Sequence, residues 1–186
     1  MVSGPRLVIG TVGMPGSGKS TVAKVAEEMG VTVVSGGDII RKRVEEQGLP
    51  LTDKSSAMVT NELRREHGDA AIATECINVI QEQSYTEILV DSFRTIEEVH
   101  RFRQVFRDEF YLLRIIADFE TRASRLLKRE RSDDIESVDE LRNRDQREIE
   151  WGIEEVMDEA DLTIENNASY GEFKNQIQSL IRQMRK

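Results

Sequence analysis

The sequence predicts an α/β fold in which a parallel sheet carries helices on both faces. Short segments rich in β-branched residues alternate along the chain with longer segments of helical periodicity. A glycine-rich segment joins the first predicted strand to the first predicted helix. Alternation of this kind is typical of parallel strands that are connected by crossover helices.

Each predicted element is short enough for a compact α/β domain. Five strands are predicted, at residues 7–12, 31–35, 87–91, 111–117 and 162–165. Eight helices are predicted, at residues 19–29, 37–48, 54–66, 69–83, 95–108, 120–130, 137–158 and 170–184. Three helical patterns lie between the second and third strands, which is more than an ordinary crossover needs. We therefore expect a helical insertion at residues 36–86 within a single domain that spans residues 1–186.

Composition limits the classes of protein to consider. The chain has 186 residues, of which 38% are hydrophobic and 33% charged, as in a globular protein with many exposed helices. No apolar run is long enough to span a membrane, and we expect no signal peptide. The single cysteine, Cys76, is expected in the core of a cytoplasmic protein. A net charge of −9 argues against broad nucleic-acid binding.

The glycine-rich segment has the form of a phosphate-binding loop. Residues 13–20 read Gly-Met-Pro-Gly-Ser-Gly-Lys-Ser, which matches G-x-x-x-x-G-K-[ST] between a predicted strand and a predicted helix. Glycines there let backbone N–H groups converge on phosphate oxygens, and the start of the helix adds a favourable dipole. A glycine-rich turn that fits the pattern by chance is the alternative. The predicted nucleotide-binding residues are Gly13, Met14, Pro15, Gly16, Ser17, Gly18, Lys19, Ser20 and Thr21.

Three side chains of this loop have predicted roles. Lys19 is expected to reach the β- and γ-phosphates, the Ser20 hydroxyl to bind Mg²⁺, and Thr21 to contact the α-phosphate. Asp91 ends the third predicted strand, where an acidic residue near such a loop holds Mg²⁺ directly or through water. The alternative for Asp91 is that it caps the next helix.

Arginines near the predicted strand ends are candidates for binding an acceptor. Arg94 follows the third strand, at the sheet edge where ligands gather in open α/β folds. Asp38 and Arg41 lie three residues apart after the second strand and share one helix face. Arg94 could instead be a solvated loop residue, and Asp38 and Arg41 an ordinary helix cap and its exposed neighbour.

The second half of the chain carries a basic stripe and a charge-dense segment. Basic residues at 122, 125 and 129 share one helical face, and more arginines follow at 142, 144 and 147. The alternative is a solvated helix with internal ion pairs. Residues 130–140 are dense in charge and interrupt the helical pattern, which predicts a mobile lid. Trp151 is expected in the core.

These segments, in this order, resemble the P-loop nucleoside monophosphate kinase superfamily over nearly the whole chain. Residues 37–41 look like the adenylate kinase segment G-D-x-[LI]-R, whose arginine binds the acceptor phosphate. Residues 91–94 look like a shortened D-G-[FY]-P-R. The chain is also similar to an archaeal family related to adenylate kinase and dephospho-coenzyme A kinase. The latter carries D-x-D after strand two, where this chain has Gly36 and only Asp38.

The resemblance implies a P-loop NTPase fold, a three-layer α/β/α domain with a five-stranded sheet in the order 2-3-1-4-5. Residues 36–86 would cover the acceptor, residues 130–145 would form a lid that closes over ATP, and residues 166–168 would border the adenine. The expected metal ligands are Ser20 and Asp91. The expected catalytic residues are Lys19, Asp38, Arg94, Arg125, Arg129 and Arg142.

The function expected from these features is ATP- and Mg²⁺-dependent phosphoryl transfer to a small nucleotide-like acceptor, with a nucleoside monophosphate favoured. Arg41 and Arg94 would hold the acceptor, and a hydroxyl acceptor, as in dephospho-coenzyme A kinase, would need Asp38 as base. A nucleotide-dependent switch or slow ATPase is the alternative from another class. We expect no nucleic-acid or membrane partner, and a monomer or small homo-oligomer.

Overall fold

A computed structural model describes residues 6–83, 85–91, 93–128, 135 and 137–185. All five predicted strands are present, and their ends differ from the predictions by one residue at most. The strands are Leu7–Val12 (β1), Thr32–Ser35 (β2), Glu87–Asp91 (β3), Phe110–Ile116 (β4) and Leu162–Glu165 (β5).

The five strands form one parallel sheet in the order β2-β3-β1-β4-β5, so that the predicted fold and strand order are confirmed. The register pairs Thr11 with Asp91 and Ser35 with Asp91. Parallel pairing therefore brings the carboxyl ends of β1, β2 and β3 to one edge of the sheet. The segment that follows β1 and the segments that follow β2 and β3 must meet at this edge.

Helices fill the connections between the strands and continue after β5. They are Lys19–Glu28 (α1), Gly36–Glu46 (α2), Asp53–His67 (α3), Ala71–Glu82 (α4), Ile96–Phe106 (α5), Phe119–Lys128 (α6), Val138–Glu150 (α7), Ile153–Asp158 (α8) and Tyr170–Met184 (α9). A turn of 3-10 helix at Arg107–Glu109 precedes β4. None of the helices in the described part of the chain is long and apolar enough to cross a membrane.

The prediction of one continuous helix near the end of the chain was wrong. The segment 137–158 was predicted as a single helix, but α7 ends at Glu150 and α8 begins at Ile153. Gly152 has a φ of 89°, a left-handed conformation that glycine adopts without steric cost and that ends a helix. The prediction that Trp151 lies in the core was also wrong, because this break leaves 45% of the residue exposed.

The sheet is buried on both faces, which explains the nearly continuous apolar strands. On one face, alternate residues of the central strands, such as Val8 and Ile88, pack with α4, α5 and α8 around a group of phenylalanines. On the other face, residues such as Ile9 and Leu89 pack with α1 and α9. The helices α2, α3 and α4 share a smaller core of their own, formed by Ile40, Val44, Val59, Leu63 and Ala71.

A buried ion pair joins α6 to α7. Both Nη groups of Arg122 donate to the Asp145 carboxylate, at 2.8 and 2.7 Å, and both residues are less than 10% exposed. Arg122 Nη1 also donates to the carbonyl of Pro15 at 3.0 Å. The first member of the predicted basic stripe is thus a structural residue that ties α6, α7 and the glycine-rich loop together.

This pair yields a stability prediction. Asp145→Asn removes the carboxylate that neutralises a buried guanidinium, and breaking a buried pair on one side is strongly destabilising. We expect the free energy of unfolding, measured by urea denaturation, to fall by about 3 kcal/mol.

The matched control is Asp139→Asn on the same helix. The pair of Asp139 with Arg142 is exposed and three residues apart, so its loss should cost about 0.5 kcal/mol or less. Equal losses in the two variants would contradict a structural role for the buried pair.

Candidate active site

The glycine-rich loop lies between β1 and α1 and ends in a helix start that has no side-chain cap. The N-cap residue of α1 is Gly18, with a φ of 113°, and the first turn holds no acidic residue. By contrast, a serine or threonine side chain caps α2, α3, α5, α7 and α9. An N-terminus with uncapped N–H groups and no nearby carboxylate attracts an anion.

At two positions of the loop, Gly13 and Gly18, neighbouring atoms leave no room for a side chain. A Cβ atom at Gly13 would lie 2.5 Å from the carbonyl oxygen of Ile115, and one at Gly18 would lie 2.2 Å from Asn166 Nδ2. Gly18 also requires its left-handed φ. Packing against β4 and the end of β5 therefore fixes the shape of the loop.

Lys19 folds back over this loop. Its ammonium group donates to the carbonyl oxygens of Gly13, at 2.5 Å, and Met14, at 3.3 Å. Burial lowers the pKa of Lys19 to about 8. Two nearby carboxylates, Asp91 and Glu148, act to raise that pKa, and two guanidinium groups, Arg94 and Arg144, act to lower it. The charges that act on the lysine therefore come from three places: β3, the segment that follows β3, and α7.

Asp91 and Ser20 provide oxygen atoms that suit a magnesium ion. Asp91 ends β3, and its carboxylate accepts a hydrogen bond of 3.1 Å from the Thr11 hydroxyl on the neighbouring strand β1. Ser20 is exposed in the first turn of α1, and Thr21 follows it. Among the described residues there is no cluster of three metal-binding side chains. A carboxylate and a hydroxyl, completed by phosphate and water, are nevertheless the donor set that Mg²⁺ prefers.

Arg94 lies where the sequence predicted it, at the edge of the sheet beyond β3. Its backbone N–H donates to Glu98 Oε2 at 2.8 Å. Its Nε lies 3.8 Å from Glu148 Oε2, and its guanidinium lies 5.9 Å from the centre of the Trp151 ring. The charge of Arg94 also lowers the pKa of Lys19.

Asp38 and Arg41 lie in the first turn of α2 and are exposed. They form a direct ion pair with each other, and the Asp38 N–H donates to the Ser35 hydroxyl at 3.3 Å. The Arg41 guanidinium lies close to Gly37, and the backbone beside it, at Gly36, faces the carbonyl of Asp91. Both residues therefore lie at the sheet edge that carries Asp91.

The three predicted lid arginines have different surroundings. Arg125 Nη2 donates to Asn166 Oδ1 at 3.0 Å, and burial lowers its pKa. Arg142 is exposed, pairs with Asp139 at 2.7 Å and lies over the Phe119 ring. Arg129, like most of the predicted mobile segment 130–140, lies outside the described residues. Arg144, rather than Arg142, acts on the pKa of Lys19.

Sequence reasoning missed Glu148 and gave Asn166 only a general place near the adenine. Glu148 is 6% exposed and was not among the predicted site residues. Its one sequence signal is its spacing of four residues from Arg144, which places both on one face of α7. Asn166 is 4% exposed and follows β5, and its Nδ2 donates to the Ser17 carbonyl at 2.8 Å. It therefore connects the phosphate loop to Arg125.

Comparison with known proteins assigns the family. Residues 12–142 match the family described as "AAA domain". A UPF0200 protein of Methanosarcina mazei is 42% identical over 174 residues, which are 94% of this chain and 93% of that protein. The chain belongs to the UPF0200 family. A UPF0200/UPF0201 protein of Archaeoglobus fulgidus is 43% identical over 181 residues. The matched region is 96% of this chain, and the chain therefore spans only 56% of the length of that protein.

Solved structures of low identity share the fold of this UPF0200 chain. TT1252 from Thermus thermophilus superposes with a TM-score of 0.66 at 19% identity, covering 97% of this chain and 98% of that one. A gluconokinase from Sinorhizobium meliloti superposes with a TM-score of 0.61 at 16% identity, and the match covers 98% of this chain and 96% of that one. Dephospho-CoA kinase from Campylobacter jejuni superposes with a TM-score of 0.55 at 16% identity, and the match covers 95% of this chain and 96% of that one. Together with the strand order, they confirm the predicted P-loop kinase α/β fold.

Asn166 gives a testable consequence of this geometry. Asn166→Ala leaves the Ser17 carbonyl and the Arg125 guanidinium without this partner, and each lost buried hydrogen bond costs about 1 kcal/mol or more. We expect a loss of about 1–3 kcal/mol in the free energy of unfolding and weaker ATP binding, measured by denaturation and calorimetry. Asn175→Ala, on an exposed part of α9, should change neither quantity. Unchanged ATP affinity in Asn166→Ala would show that the amide does not support the phosphate loop.

Proposed function

We propose that the protein is an ATP- and Mg²⁺-dependent phosphotransferase that moves the γ-phosphoryl group of ATP to a small nucleotide-like acceptor, with a nucleoside monophosphate favoured. The observation that carries the proposal is the uncapped start of α1, with Lys19 beside it and with the charges of Asp91 and Arg94 acting on the pKa of Lys19. Phosphoryl transfer requires alignment and neutralisation of charge more than covalent help, and these groups provide both.

On the donor side, the backbone N–H groups of residues 13–20 and the Lys19 ammonium would hold the phosphates. Ser20 and Asp91 would hold Mg²⁺, which when bound neutralises the charge that develops on the phosphate oxygens. Thr21 would contact the α-phosphate. Of the expected lid arginines, Arg125 has the best support, because its hydrogen bond to Asn166 links it to the phosphate loop.

Arg142 and Arg129 are the other two arginines proposed to close on the transferred group. Arg142 forms an exposed pair with Asp139 and would have to leave it to reach a phosphate. Arg129 lies outside the described residues, and its role as an arginine that closes on the transferred group follows from the sequence resemblance alone. The same holds for residues 130–134 of the proposed lid.

On the acceptor side, Arg41 and Arg94 would bind the phosphate of a nucleoside monophosphate, and the helices within residues 36–86 would cover it. They follow β2 and β3, whose ends are paired in the sheet at Ser35 and Asp91. A guanidinium group binds phosphate through two parallel hydrogen bonds, which suits this task. The proposed location is the cytoplasm, where the buried free thiol of Cys76 remains reduced.

The donor side is tested with Lys19→Ala. Removing a preorganised cation from the transferring phosphate should cost about 3 kcal/mol or more of transition-state stabilisation, which is a fall of at least about a hundredfold in turnover. Turnover is measured as the rate of acceptor phosphorylation by Mg²⁺ATP. Lys24→Ala, exposed on the same helix, should retain normal turnover. Near-normal turnover of Lys19→Ala with an intact fold would refute the mechanism.

The acceptor side is tested with Arg41→Ala and Arg94→Ala. Each should raise the acceptor KM or lower kcat on the order of tenfold, while ATP affinity changes little, because each removes a ligand of the acceptor phosphate. The two effects should be non-additive if both act on one group. Lys42→Ala, which is exposed beside Arg41, is the control. If neither arginine matters for any acceptor, the kinase assignment fails and a nucleotide-dependent switch takes its place.

Asp38→Asn separates the two classes of acceptor. A modest fall in kcat is expected for a phosphate acceptor, where Asp38 only orients Arg41 through their ion pair. A fall of several orders of magnitude would instead identify Asp38 as the base for a hydroxyl acceptor. The exposure of Asp38 and its pairing with Arg41 favour the first result.

A further inference from the structure

The guanidinium of Arg94 lies between two residues that α7 presents on one face. Glu148 and Trp151 are three residues apart, at the end of the helix and just after it. The Glu148 carboxylate lies 3.8 Å from Arg94 Nε, and the Trp151 ring lies 5.9 Å from the guanidinium carbon. An arginine beside a carboxylate and over an indole ring is attracted by both.

The carboxylate of Glu148 is unusual because it is buried. The residue is 6% exposed, and a carboxylate is rarely buried unless a positive charge compensates it. Arg94 provides a positive charge close to the Glu148 carboxylate. Glu148 also raises the pKa of Lys19. The exposed glutamate Glu150, two residues away, instead pairs with Gln146 on its own helix.

The helix that carries this pair is firmly attached to the phosphate loop. Asp145, one turn before Glu148, forms the buried ion pair with Arg122, and Arg122 donates to the Pro15 carbonyl. The backbone of Arg94 is held independently, since Glu98 accepts hydrogen bonds from the N–H groups of Arg94 and Thr95. The Arg94 backbone is therefore held by α5, and its guanidinium lies beside a helix that is tied to the phosphate loop.

We propose that Glu148 and Trp151 are positioning residues that hold the Arg94 guanidinium in the orientation in which it binds the acceptor. This inference rests on the proposed function, in which Arg94 binds the acceptor phosphate. A free arginine side chain loses rotational freedom when it binds, and a guanidinium held in advance avoids that loss. The contact of Glu148 is with Nε, and the outer edge of the guanidinium, with one N–H of each Nη group, would form the paired hydrogen bonds to a phosphate.

Trp151 makes the placement of Arg94 directly measurable, because it is the only tryptophan of the chain. Quenching of its fluorescence by acrylamide should increase in Arg94→Ala, since the guanidinium no longer covers the ring. Glu148→Gln should shift the quenching constant towards that of Arg94→Ala, and the double variant should match Arg94→Ala alone. Glu150→Gln removes the same charge beside Trp151 and should leave quenching unchanged.

Two results of this experiment would overturn the proposal. Quenching of Glu148→Gln that equals the wild type, while Arg94→Ala differs, would show that Glu148 does not hold the guanidinium. Equal quenching of Arg94→Ala and the wild type would show that the guanidinium does not lie over Trp151.

Binding of AMP, measured by calorimetry, tests the consequence for the acceptor. Glu148→Gln should weaken AMP binding on the order of tenfold, as for coupled neighbouring residues. Loss of a negative charge alone would strengthen the binding of an anion, so the sign of the change separates positioning from simple electrostatics. Trp151→Leu should also weaken AMP binding. Unchanged or tighter AMP binding in Glu148→Gln would contradict the proposal.

Failure of the inference and failure of the proposed function give different patterns. If Arg94→Ala weakens AMP binding and Glu148→Gln does not, Arg94 binds the acceptor without this support, and the inference fails alone. If the wild type does not bind AMP, the nucleoside monophosphate assignment fails. The fluorescence comparison, which needs no ligand, then decides whether Glu148 holds Arg94.

Discussion

Folding encloses the ammonium group of Lys19 in a loop of backbone carbonyls, and the arrangement of the site depends on compensating that charge. Burial lowers the pKa of Lys19 to about 8, and Asp91 and Glu148 oppose the shift. Because the start of α1 carries partial positive charge as well, the loop has an excess of positive potential where a polyphosphate would bind. The carboxylates keep the lysine near its charged state, and the cation in turn compensates the burial of Glu148.

The strand order explains how residues far apart in sequence reach this lysine. Placing β3 between β1 and β2 brings Asp91 beside the phosphate loop and brings the start of α2 beside Asp91. The helix α7 is fixed near the phosphate loop by the buried pair of Arg122 and Asp145 and by the bond of Arg122 to the Pro15 carbonyl. The proposed donor, metal and acceptor groups therefore come from separate elements, whose relative positions depend on the sheet and on the packing of α6 against α7.

The sequence predicted the features that depend on local pattern. The phosphate loop has a motif of fixed spacing, and the central strand β1 is a short apolar run that is buried on both faces, so the fold class was predicted correctly; the strand order followed from the family resemblance. Features that depend on tertiary contacts were not. Arg122 looked like a member of an exposed stripe because its partner Asp145 lies on another helix. Glu148 carried no motif, and the break at Gly152 was hidden by good helix formers on both sides.

The central claim, that this cleft transfers a phosphoryl group, is tested most directly by product analysis. The protein would be incubated with Mg²⁺ATP and, separately, each nucleoside monophosphate or dephospho-coenzyme A, and the products would be identified by mass spectrometry. The account predicts ADP together with a phosphorylated acceptor, and a nucleoside diphosphate is the expected product. Formation of ADP and inorganic phosphate at a rate that no acceptor changes, with no phosphorylated acceptor detected, would contradict it.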